Sequence, residues 1–545
     1  MHITYIITKE IDIIESEGFF MGNVAPVVKI ELIVLGLLFS SLLGSQFLTV
    51  NGEEKITRGN TIIVDINGSG DYLKIQDAIN ASIDGVTILI KKGTYHEPLR
   101  VDKSLSIESF GFEKPILMND LNSHANTITV NNGHWFKLRN VEVINYYKNR
   151  WVIFSASTVE NIVISNCTIK DSGLGLFIYS SNPLVENTSF SNLDLAMEIG
   201  GSNVIIKNNT FTNLEQGIYS VPPNLPPDPS HDFLVKDCYF NSVHFNSIEI
   251  NGVRGRTYQL VDISNVNIIN CDNWGLFINH TTENLDVQNV TVDNIGSSGK
   301  GINLYSSLKS NKIRIQDCYL KNSRIGLALM GDEDNNNAYV EHNEIKSNEI
   351  GILFNGEDYR VRNNEIFENG KGLVFHDNSV MNRVYNNNIV NNSRQVIPGG
   401  SSNYLYYSYE TGGNYWSNYD GKDVKNGPEQ DQHGSDGYGD TPYYISESLF
   451  DKYPIIIDNF EPNAVLGEDI TVYEGREIAI DGSQSTDNHM VTDYLWQFEN
   501  DGEMIEMEGP IFEYVFEDPG IYRVKLTVFD FAGNNDTEVI NVTVL

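Results

Sequence analysis

The sequence predicts an all-β protein built around a parallel β-helix, a solenoid in which each turn of chain is a set of short strands. A phrase returns about every 21 to 26 residues between Val163 and Ile397, as in VKDCYFNS, IQDCYLKNSRIGLAL and VEHNEIKSNEIGILF. Its alternating Val and Ile, Asn/Asp pairs and Gly-Ile steps suit strands joined by tight bends, and it is too short for a helical hairpin. Equivalent residues should therefore stack about 4.8 Å apart, Ile on Ile inside and Asn on Asn at the corners.

The chain is long and strongly acidic. It has 545 residues, a formal net charge of −36 and an isoelectric point near 4.5. This charge argues against nucleic acid or an anionic lipid surface as partner, and predicts a soluble surface that attracts cations. General surface acidity of a salt-adapted organism explains the same charge without a specific partner, and is favoured.

Four cysteines lie in the repeats, and three of them follow Asn or Asp in the phrases SNCTI, KDCYF and QDCYL. We predict that they are interchangeable core fillers. The sequence contains no CxxC pair that would indicate a zinc or redox site. Cysteines on distant turns would lie too far apart to form a disulfide. The cysteines are Cys167, Cys238, Cys271 and Cys318.

Residues 1–50 are predicted to be a signal peptide or an N-terminal membrane anchor. The apolar run from Ile30 to Val50 is long enough for either, and a start at Met21 would leave a conventional short n-region with Lys29. No clean A-x-A site decides between cleavage and anchoring. The rest of the chain is expected outside the cell or on its surface, where its sequons permit glycosylation. They include Asn187, Asn279, Asn289, Asn391, Asn535 and Asn541.

The β-helix is predicted over residues 60–400, beginning with a cap. A short amphipathic helix with Ile75, Ala78 and Ile79 on one face would cover the unpaired strand edge of the first turn. The segments VDINGSGDYLKIQDAI and GVTILIKKGTYHEPLRVDKSLSI resemble the first coil of pectin methylesterases and of related carbohydrate-binding and sugar-hydrolysing β-helices. This resemblance covers about 50 residues and implies the fold, not the chemistry.

A Pro-rich segment, Val221–Asp232, interrupts the repeat with VPPNLPPDPSHD. Such a segment cannot pair as a strand and must loop out. Two interpretations remain open: a lip over a ligand cleft beside the helix, or a tolerated insertion.

Residues 401–458 follow the last turn with three short patterns, GGNYWSNYDGKD, DGYGDTPY and DKYP. They resemble the C-terminal end of the NosD-like family, periplasmic or surface right-handed β-helix proteins associated with copper insertion into nitrous oxide reductase. The chain departs from the family pattern at Asn418, where Asp is usual, and in the NGPEQDQHGS segment before Asp436. The matching residues are Gly413, Asn414, Trp416, Ser417, Tyr419, Gly421, Asp423, Gly439, Asp440, Thr441, Pro442, Tyr443, Asp451, Tyr453 and Pro454.

Residues 460–545 change in composition to alternating strands with an SQSTD turn, a YLWQF strand and a closing PGIYRVKLTVFD. This pattern resembles a polycystic-kidney-disease (PKD) domain, an immunoglobulin-like β-sandwich. The resemblance implies that Trp496 is the core aromatic residue. It also supports a location outside the cell, where such domains serve as spacers and adhesion modules.

A carbohydrate-active enzyme on this helix would need clustered acids with Arg or Lys. Gln316 and Asp317 echo the QD pair of pectin methylesterases, but the D-F-I-F-G and G-R-P-W segments of that family are missing. We predict that Asp317 occupies an ordinary corner position, shared by Asp237 and Asn364.

A charged groove is a second candidate. Arg360, Arg362, Arg383 and Lys346 lie on neighbouring turns, near a loop that carries Asp332, Glu333 and Asp334. Solvated corner charges are the favoured alternative.

A metal could lie in the Gly-rich loop after the last turn. Asp423, Asp431, Asp436 and Asp440 could supply hard carboxylate ligands to Ca²⁺, although the loop lacks the EF-hand spacing. The alternative is an acidic turn. Copper follows only from the NosD resemblance, because the histidines are scattered singly.

These observations predict a secreted or surface-anchored right-handed parallel β-helix followed by an immunoglobulin-like PKD sandwich. The expected role is non-enzymatic binding of polysaccharide or cell-envelope components along a helix face. Two alternatives remain: a polysaccharide lyase, hydrolase or epimerase acting in the same groove, and a copper-site assembly factor of the NosD kind.

Overall fold

The structure is a computed structural model. It describes residues 60–119, 124–155, 159–220, 232–252, 258–279, 282–296, 299–305, 312–331, 338–456, 461–487, 491–500, 502–530 and 533–545. The predicted leader over residues 1–50, the Pro-rich segment except Asp232, and Asp332, Glu333 and Asp334 lie outside these ranges. No helix among the described residues is long and apolar enough to cross a membrane.

The chain opens on a strand, a single short helix and then further short strands. The helix buries Ile75, Ala78 and Ile79, as predicted, and packs against β1, β2 and β4 at the first turn. Glu97 caps it by accepting hydrogen bonds from the N–H groups of Ile75 (2.8 Å) and Gln76 (3.0 Å). These elements are β1 (Thr61–Val64), α1 (Ile75–Ala81), β2 (Val86–Ile90), β3 (Thr94–His96), β4 (Leu99–Val101), β5 (Leu105–Ser109), β6 (Ile116–Met118), β7 (Ile128–Val130), β8 (Trp135–Arg139), β9 (Glu142–Ile144), β10 (Trp151–Ser155) and β11 (Asn161–Ser165).

Longer strands follow in the middle of the solenoid, where one strand often continues round a corner into the next face. They are β12 (Thr168–Ser180), β13 (Asn182–Glu186), β14 (Ser189–Gly201), β15 (Val204–Lys207), β16 (Thr210–Ser220), β17 (Asp232–Val243), β18 (Asn246–Asn251), β19 (Tyr258–Cys271), β20 (Trp274–Asn279), β21 (Thr282–Ile295) and β22 (Lys300–Tyr305).

The last turns return to short strands and end in a closing segment of small ladders. The strands of the last turns are β23 (Lys312–Gln316), β24 (Tyr319–Lys321), β25 (Ile325–Met330), β26 (Ala338–Glu341), β27 (Glu344–Lys346), β28 (Ile350–Asn355), β29 (Tyr359–Arg362), β30 (Glu365–Phe367), β31 (Lys371–Phe375), β32 (Arg383–Tyr385), β33 (Asn388–Val390) and β34 (Arg394–Ile397). Those of the closing segment are β35 (Tyr415–Trp416), β36 (Lys425–Asn426), β37 (Gln432–His433), β38 (Tyr443–Tyr444) and β39 (Phe450–Asp451).

Strands β1 to β35 form one 35-stranded assembly of parallel ladders, which confirms the parallel β-helix. It has three faces. Face A runs through β1, β2, β5, β8, β11, β13 and β15, the first parts of β17, β19 and β21, and β23, β26, β29 and β32. Face B begins with β3, β6 and β9 and continues through the first parts of β12, β14 and β16 and the last parts of β17, β19 and β21. It then follows β24, β27, β30, β33 and β35. Face C begins with β4, β7 and β10 and continues through the last parts of β12, β14 and β16. It then follows β18, β20, β22, β25, β28, β31 and β34.

From Asn140 onward, the corners between faces A and B have a residue in the left-handed region, with φ between 49° and 55°. Asn and Asp adopt this conformation most readily among non-glycine residues, which explains the Asn/Asp pairs of the repeat. The corner residues are Asn140, Asn166, Asn187, Asn208, Asp237, Asn265, Asn289, Asp317, His342, Asn363 and Asn386.

The residue after this corner turns into the core. Cys167, Cys238 and Cys318 fill this position and are at most 2% exposed, so their prediction as core fillers is confirmed. On later turns Asn343, Asn364, Asn387 and Asn414 fill it instead. In each successive pair, the backbone N–H and the Nδ2 of the earlier asparagine donate to Oδ1 of the later one.

The prediction that Asn364 shares the corner with Asp317 is wrong by one residue. The corner residue is Asn363, with φ of 53°, whereas Asn364 is 1% exposed and lies inside the ladder. Aligning VRNNEIF with IQDCYLK places Asn363, not Asn364, opposite Asp317, and the stacking of Asn364 between Asn343 and Asn387 agrees with that register.

The hydrophobic core runs through the whole solenoid, and aromatic rings stack within it. Phe190, Phe211 and Phe240 lie on successive turns with centroid distances of 5.0 and 4.3 Å and nearly parallel planes. A separate core fills the C-terminal sandwich, where Trp496 is fully buried, as predicted, and lies 5.4 Å from Phe512.

The sandwich pairs a five-stranded sheet, in the order β40-β46-β45-β42-β43, with the two-stranded ladder β41-β44. This arrangement confirms the predicted immunoglobulin-like architecture. The strands are β40 (Ile470–Val472), β41 (Glu477–Asp481), β42 (Val491–Asn500), β43 (Glu503–Glu508), β44 (Ile511–Val515), β45 (Gly520–Asp530) and β46 (Asn535–Val544).

Candidate functional site

The outer surface of face C carries a strip of aromatic and acidic side chains. They point outward because they alternate along each strand with fully buried residues such as Leu176 and Ile178. One column of the strip is continuous over six turns, since each member pairs in register with the next. That column is Phe154, Phe177, Glu198, Tyr219, Glu249 and Phe277. We call this column, together with Trp151, Tyr179 and Trp274, the aromatic strip.

Aromatic rings occupy both ends of the strip. At one end Phe154 stacks on Phe177 with centroids 4.9 Å apart and planes 8° from parallel, and Trp151 lies 5.2 Å from Phe177. At the other end Trp274 lies 4.3 Å from Phe277. All five rings are partly exposed. Each end therefore offers an apolar, flat surface to solvent.

Two carboxylates lie between these ends, with Tyr219 between them. Glu198 and Glu249 are two steps apart in the column, so their backbones are separated by about 9.6 Å. The Tyr179 hydroxyl donates to Glu198 Oε1 at 3.1 Å. Burial raises the pKa of the Tyr179 hydroxyl, and the negative charge of Glu198 raises it further, so Tyr179 stays a neutral donor.

Three side-chain amides hold Glu249 in place. Gln216 and Asn246 donate to Oε2 at 2.9 and 2.7 Å, and Asn251 donates to Oε1 at 2.7 Å. Burial raises the pKa of Tyr219, and the charges of Glu249 and Glu198 add to the effect. The centre of the strip thus presents two oriented acceptors beside two neutral phenols.

Sequence reasoning missed this strip. Its members lie in repeats whose lengths vary, so only the strand register shows that Phe177 and Phe277 belong to one column. The available signal was the recurrence of an aromatic or acidic residue in the outward position of segments such as GLFIY, AMEIG, GIYS, SIEIN and GLFIN.

The candidate calcium residues do not converge on one point. Asp423 accepts hydrogen bonds from the N–H groups of Asp436 (3.1 Å) and Gly437 (2.8 Å) and from the Ser435 hydroxyl. Asp431 is exposed.

The other two carboxylates of this loop are also occupied by hydrogen-bond donors. Asp436 accepts from the Tyr409 hydroxyl (2.9 Å) and the Gln430 amide (2.8 Å). Asp440 accepts from the N–H groups of Val424 and Lys425. No group of three or more His, Cys, Asp or Glu suited to a metal occurs among the described residues, so calcium gains no support.

The NosD-like motifs meet in the closing segment, around a buried carboxylate. Asp451 is 0% exposed, and its Oδ2 accepts from the Asn414 N–H (2.7 Å) and the Trp416 indole N–H (2.9 Å), while Oδ1 accepts from the Tyr453 N–H (3.0 Å). Trp416 stacks on Tyr443 at 4.6 Å. The first and third motifs therefore join at the end of the asparagine ladder, where they have a structural role.

The remaining predicted residues are placed as follows. Asp317 is an exposed corner residue with φ of 52°, as predicted, and it accepts from the Gln288 amide at 3.2 Å. Arg360, Arg362 and Arg383 lie together on face A, whereas Lys346 lies on face B. The predicted four-residue groove is therefore reduced to its three arginines.

Comparison with known proteins agrees with this architecture. The chain is a β-helix protein: residues 126–257 match the family model for the right handed beta helix region. Residues 330–421 match the model described as periplasmic copper-binding protein (NosD), and residues 459–544 match the PKD domain. A search of curated proteins returned no match. The chain is thus a NosD-like right-handed β-helix with a C-terminal PKD domain.

Proposed function

We propose that this protein works outside the cytoplasm and binds a polysaccharide or another glycan of the cell envelope along the aromatic strip. The observation that carries the proposal is the outward column in which Phe177 and Phe277 flank Glu198 and Glu249. Aromatic faces pack against the C–H faces of sugar rings, and carboxylates accept hydrogen bonds from sugar hydroxyls. The PKD match and the periplasmic description of the NosD model support the location.

The extended form of the strip favours a chain over a single sugar. Parallel strands repeat every ~4.8 Å, so the six turns from Phe154 to Phe277 span about 24 Å. Flat rings at both ends with polar groups between them fit a polymer that crosses all the turns. A neutral glycan is favoured, because the two carboxylates would repel an anionic one.

Binding to neutral oligosaccharides by the purified full chain tests this function. A panel of β-linked and α-linked hexasaccharides is titrated by calorimetry. Phe177→Ala and Trp274→Ala should each weaken binding about fivefold, because each removes a stacking face worth about 1 kcal/mol. Phe112→Ala is the matched control, since Phe112 is fully exposed outside the strip. Equal losses in all three variants, or no binding to any glycan, would refute the proposal.

A second function, hydrolysis of the bound chain, is favoured by the carboxylate pair itself. Inverting glycoside hydrolases use two carboxyl groups about 6.5–9.5 Å apart, a spacing that two glutamate side chains can span from backbones ~9.6 Å apart. Glu249, held by three amide donors, would take a proton from the attacking water, while the leaving oxygen would be protonated by Glu198 only in the fraction of molecules in which Glu198 carries a proton. Reducing-sugar release by the wild type, lost in Glu198→Gln and Glu249→Gln with binding retained, supports hydrolysis. Release that survives in both variants rejects it.

A further inference from the structure

Face A carries a different surface near its C-terminal end. One outward column changes sign along the solenoid, from acidic residues on earlier turns to arginine and tyrosine on later ones. In register order the column is Asp262, Asp286, Arg314, Tyr339, Arg360, Arg383 and Tyr404. Arg362, Tyr385 and Tyr407 flank it. We call the group formed by Tyr339, Arg360, Arg362, Arg383, Tyr385, Tyr404 and Tyr407 the arginine–tyrosine cleft.

The guanidinium groups of the cleft are held against tyrosine rings. Arg360 and Arg362 lie 5.4 and 5.3 Å from the centroid of Tyr339. Arg383 lies 5.7 Å from Tyr404 and 5.8 Å from Tyr407. Such cation–π contacts fix a flexible side chain before any ligand arrives, which lowers the entropy cost of binding.

Two of these arginines form ion pairs with carboxylates that are less exposed than the arginines. Arg362 donates to Glu341 Oε2 through Nε (2.8 Å) and Nη2 (2.6 Å), and Arg383 lies 3.6 Å from Asp358. The Glu341 and Asp358 side chains are only 9% and 11% exposed, whereas those of Arg362 and Arg383 are 37% and 35% exposed. The positive groups therefore form the solvent side of each pair.

A further arginine lies next to the cleft on the same face. Arg314 adds a further guanidinium, 3.6 Å from the same Glu341, and its Nε is buried without a hydrogen-bond partner. Four arginines thus lie on neighbouring turns of one face in a chain whose net charge is −36. A cleft of about 290 Å³ opens between Tyr339, Arg360, Arg362, Tyr385 and Tyr407.

We propose that the arginine–tyrosine cleft binds a carboxylated saccharide, such as a segment of a uronic-acid-containing polysaccharide. Guanidinium groups recognise carboxylates in a planar, two-point geometry, and tyrosine rings pack on sugar rings. One such ligand matches both features, because a polyuronate carries one carboxylate on each ring. This site lies on face A and is separate from the aromatic strip on face C, where two glutamates favour a neutral chain.

Titration of the full chain with a galacturonic acid hexamer tests the proposal. Saturable binding that weakens as salt increases is expected, because exposed ion pairs are screened. The double substitution Arg360→Gln with Arg383→Gln should weaken it at least tenfold. Arg139→Gln is the matched control: Arg139 also lies on face A, is 43% exposed and is 3.7 Å from Glu108, but has no place in the cleft. It should leave binding unchanged.

Further titrations separate the cleft from the aromatic strip and from simple charge attraction. Trp274→Ala should leave hexamer binding intact, so failure of the aromatic strip and failure of the cleft can be told apart. Polyglutamate offers carboxylates without rings and should bind much more weakly, and a sulfated glucan tests whether sulfate replaces carboxylate. The proposal is overturned by no saturable binding, by an equal loss in Arg139→Gln, or by equal affinity for polyglutamate or the sulfated chain.

Discussion

The buried asparagine ladder leads to a sharp prediction: Asn364→Asp should be far more damaging than the same change at its neighbour. Asn364 is 1% exposed, and its Nδ2 donates to Val340 O (2.9 Å), Arg362 O (2.8 Å) and Asn387 Oδ1 (2.8 Å). An aspartate has no N–H donor there. The substitution therefore places a carboxylate oxygen against three other oxygens.

The magnitude follows from these contacts. Three hydrogen bonds worth about 1 kcal/mol each are lost, so the free energy of unfolding should fall by at least about 3 kcal/mol. Burial disfavours the ionised carboxylate, so the loss should grow as the pH rises above about 4, the pKa of an unfolded aspartate, until the buried carboxyl has lost its proton. Asn363→Asp is the control: Asn363 is a left-handed corner position, like Asp317, so the change should stay within about 0.5 kcal/mol.

Urea unfolding of the full chain, followed by far-ultraviolet circular dichroism at pH 5 and pH 8, measures both variants. Asn364→Asp should lower the midpoint strongly, and more at pH 8, while Asn363→Asp should follow the wild type. Repeat proteins can open locally, so hydrogen exchange of the turns around residues 338–397 is measured in parallel. Equal midpoints and equal exchange for the two variants would refute the assignment of a structural ladder.

Two further predictions concern buried ionisable groups. Burial raises the pKa of Asp451 to about 7 from the usual 3.8, against the lowering effect of the Trp416, Asn414 and Tyr453 donors. The folded state therefore holds this proton more tightly than the unfolded chain. The resulting stability is complete below about pH 4 and is lost as the pH rises through 7, a change of about 4 kcal/mol. The melting temperature of the wild type relative to Asp451→Asn should fall over that window, and a constant difference would contradict the assignment. Burial also raises the pKa of Cys167 to about 11 and of Cys238 and Cys318 to about 12. At pH 8 these thiols should react with an aromatic disulfide reagent only after denaturation, and rapid labelling of the native protein would show that they are accessible.

The fold could be predicted because its determinants are local and repeated. Strand alternation, Asn or Asp at the corners and the amphipathic helix with Ile75 and Ile79 are each visible within a short stretch of sequence. The choice between Asn363 and Asn364 as corner residue needs an exact alignment of the repeats, and the prediction was shifted by one residue. The hydrogen bonds between turns 21 to 23 residues apart, from Asn343 to Asn364 and from Asn364 to Asn387, then show that the inward asparagine forms a ladder.

The candidate site depends even more on distant register. The four aspartates after the last turn are close in sequence and suggested a shared ion, but Asp423, Asp436 and Asp440 each accept hydrogen bonds from separate donors and Asp431 is exposed. Tyr409, for example, is 27 residues from Asp436 and still donates to it. The aromatic strip shows the converse, since Phe154 and Phe277 are far apart in sequence and share a column only after every intervening turn has been placed.

The solenoid itself explains why two unlike surfaces can coexist on one chain. Inward and corner positions are constrained by the core, by the asparagine ladder on the later turns and by the left-handed backbone at the corners. Outward positions are free of these demands. A column of outward side chains can therefore change within two turns from an acidic residue, Asp286, to a basic one, Arg314, and to an uncharged one, Tyr339. Face C can therefore present neutral aromatic rings around Glu198 and Glu249 while face A presents guanidinium groups. A polysaccharide with neutral and uronic acid blocks would find a matching surface for each block on the same protein.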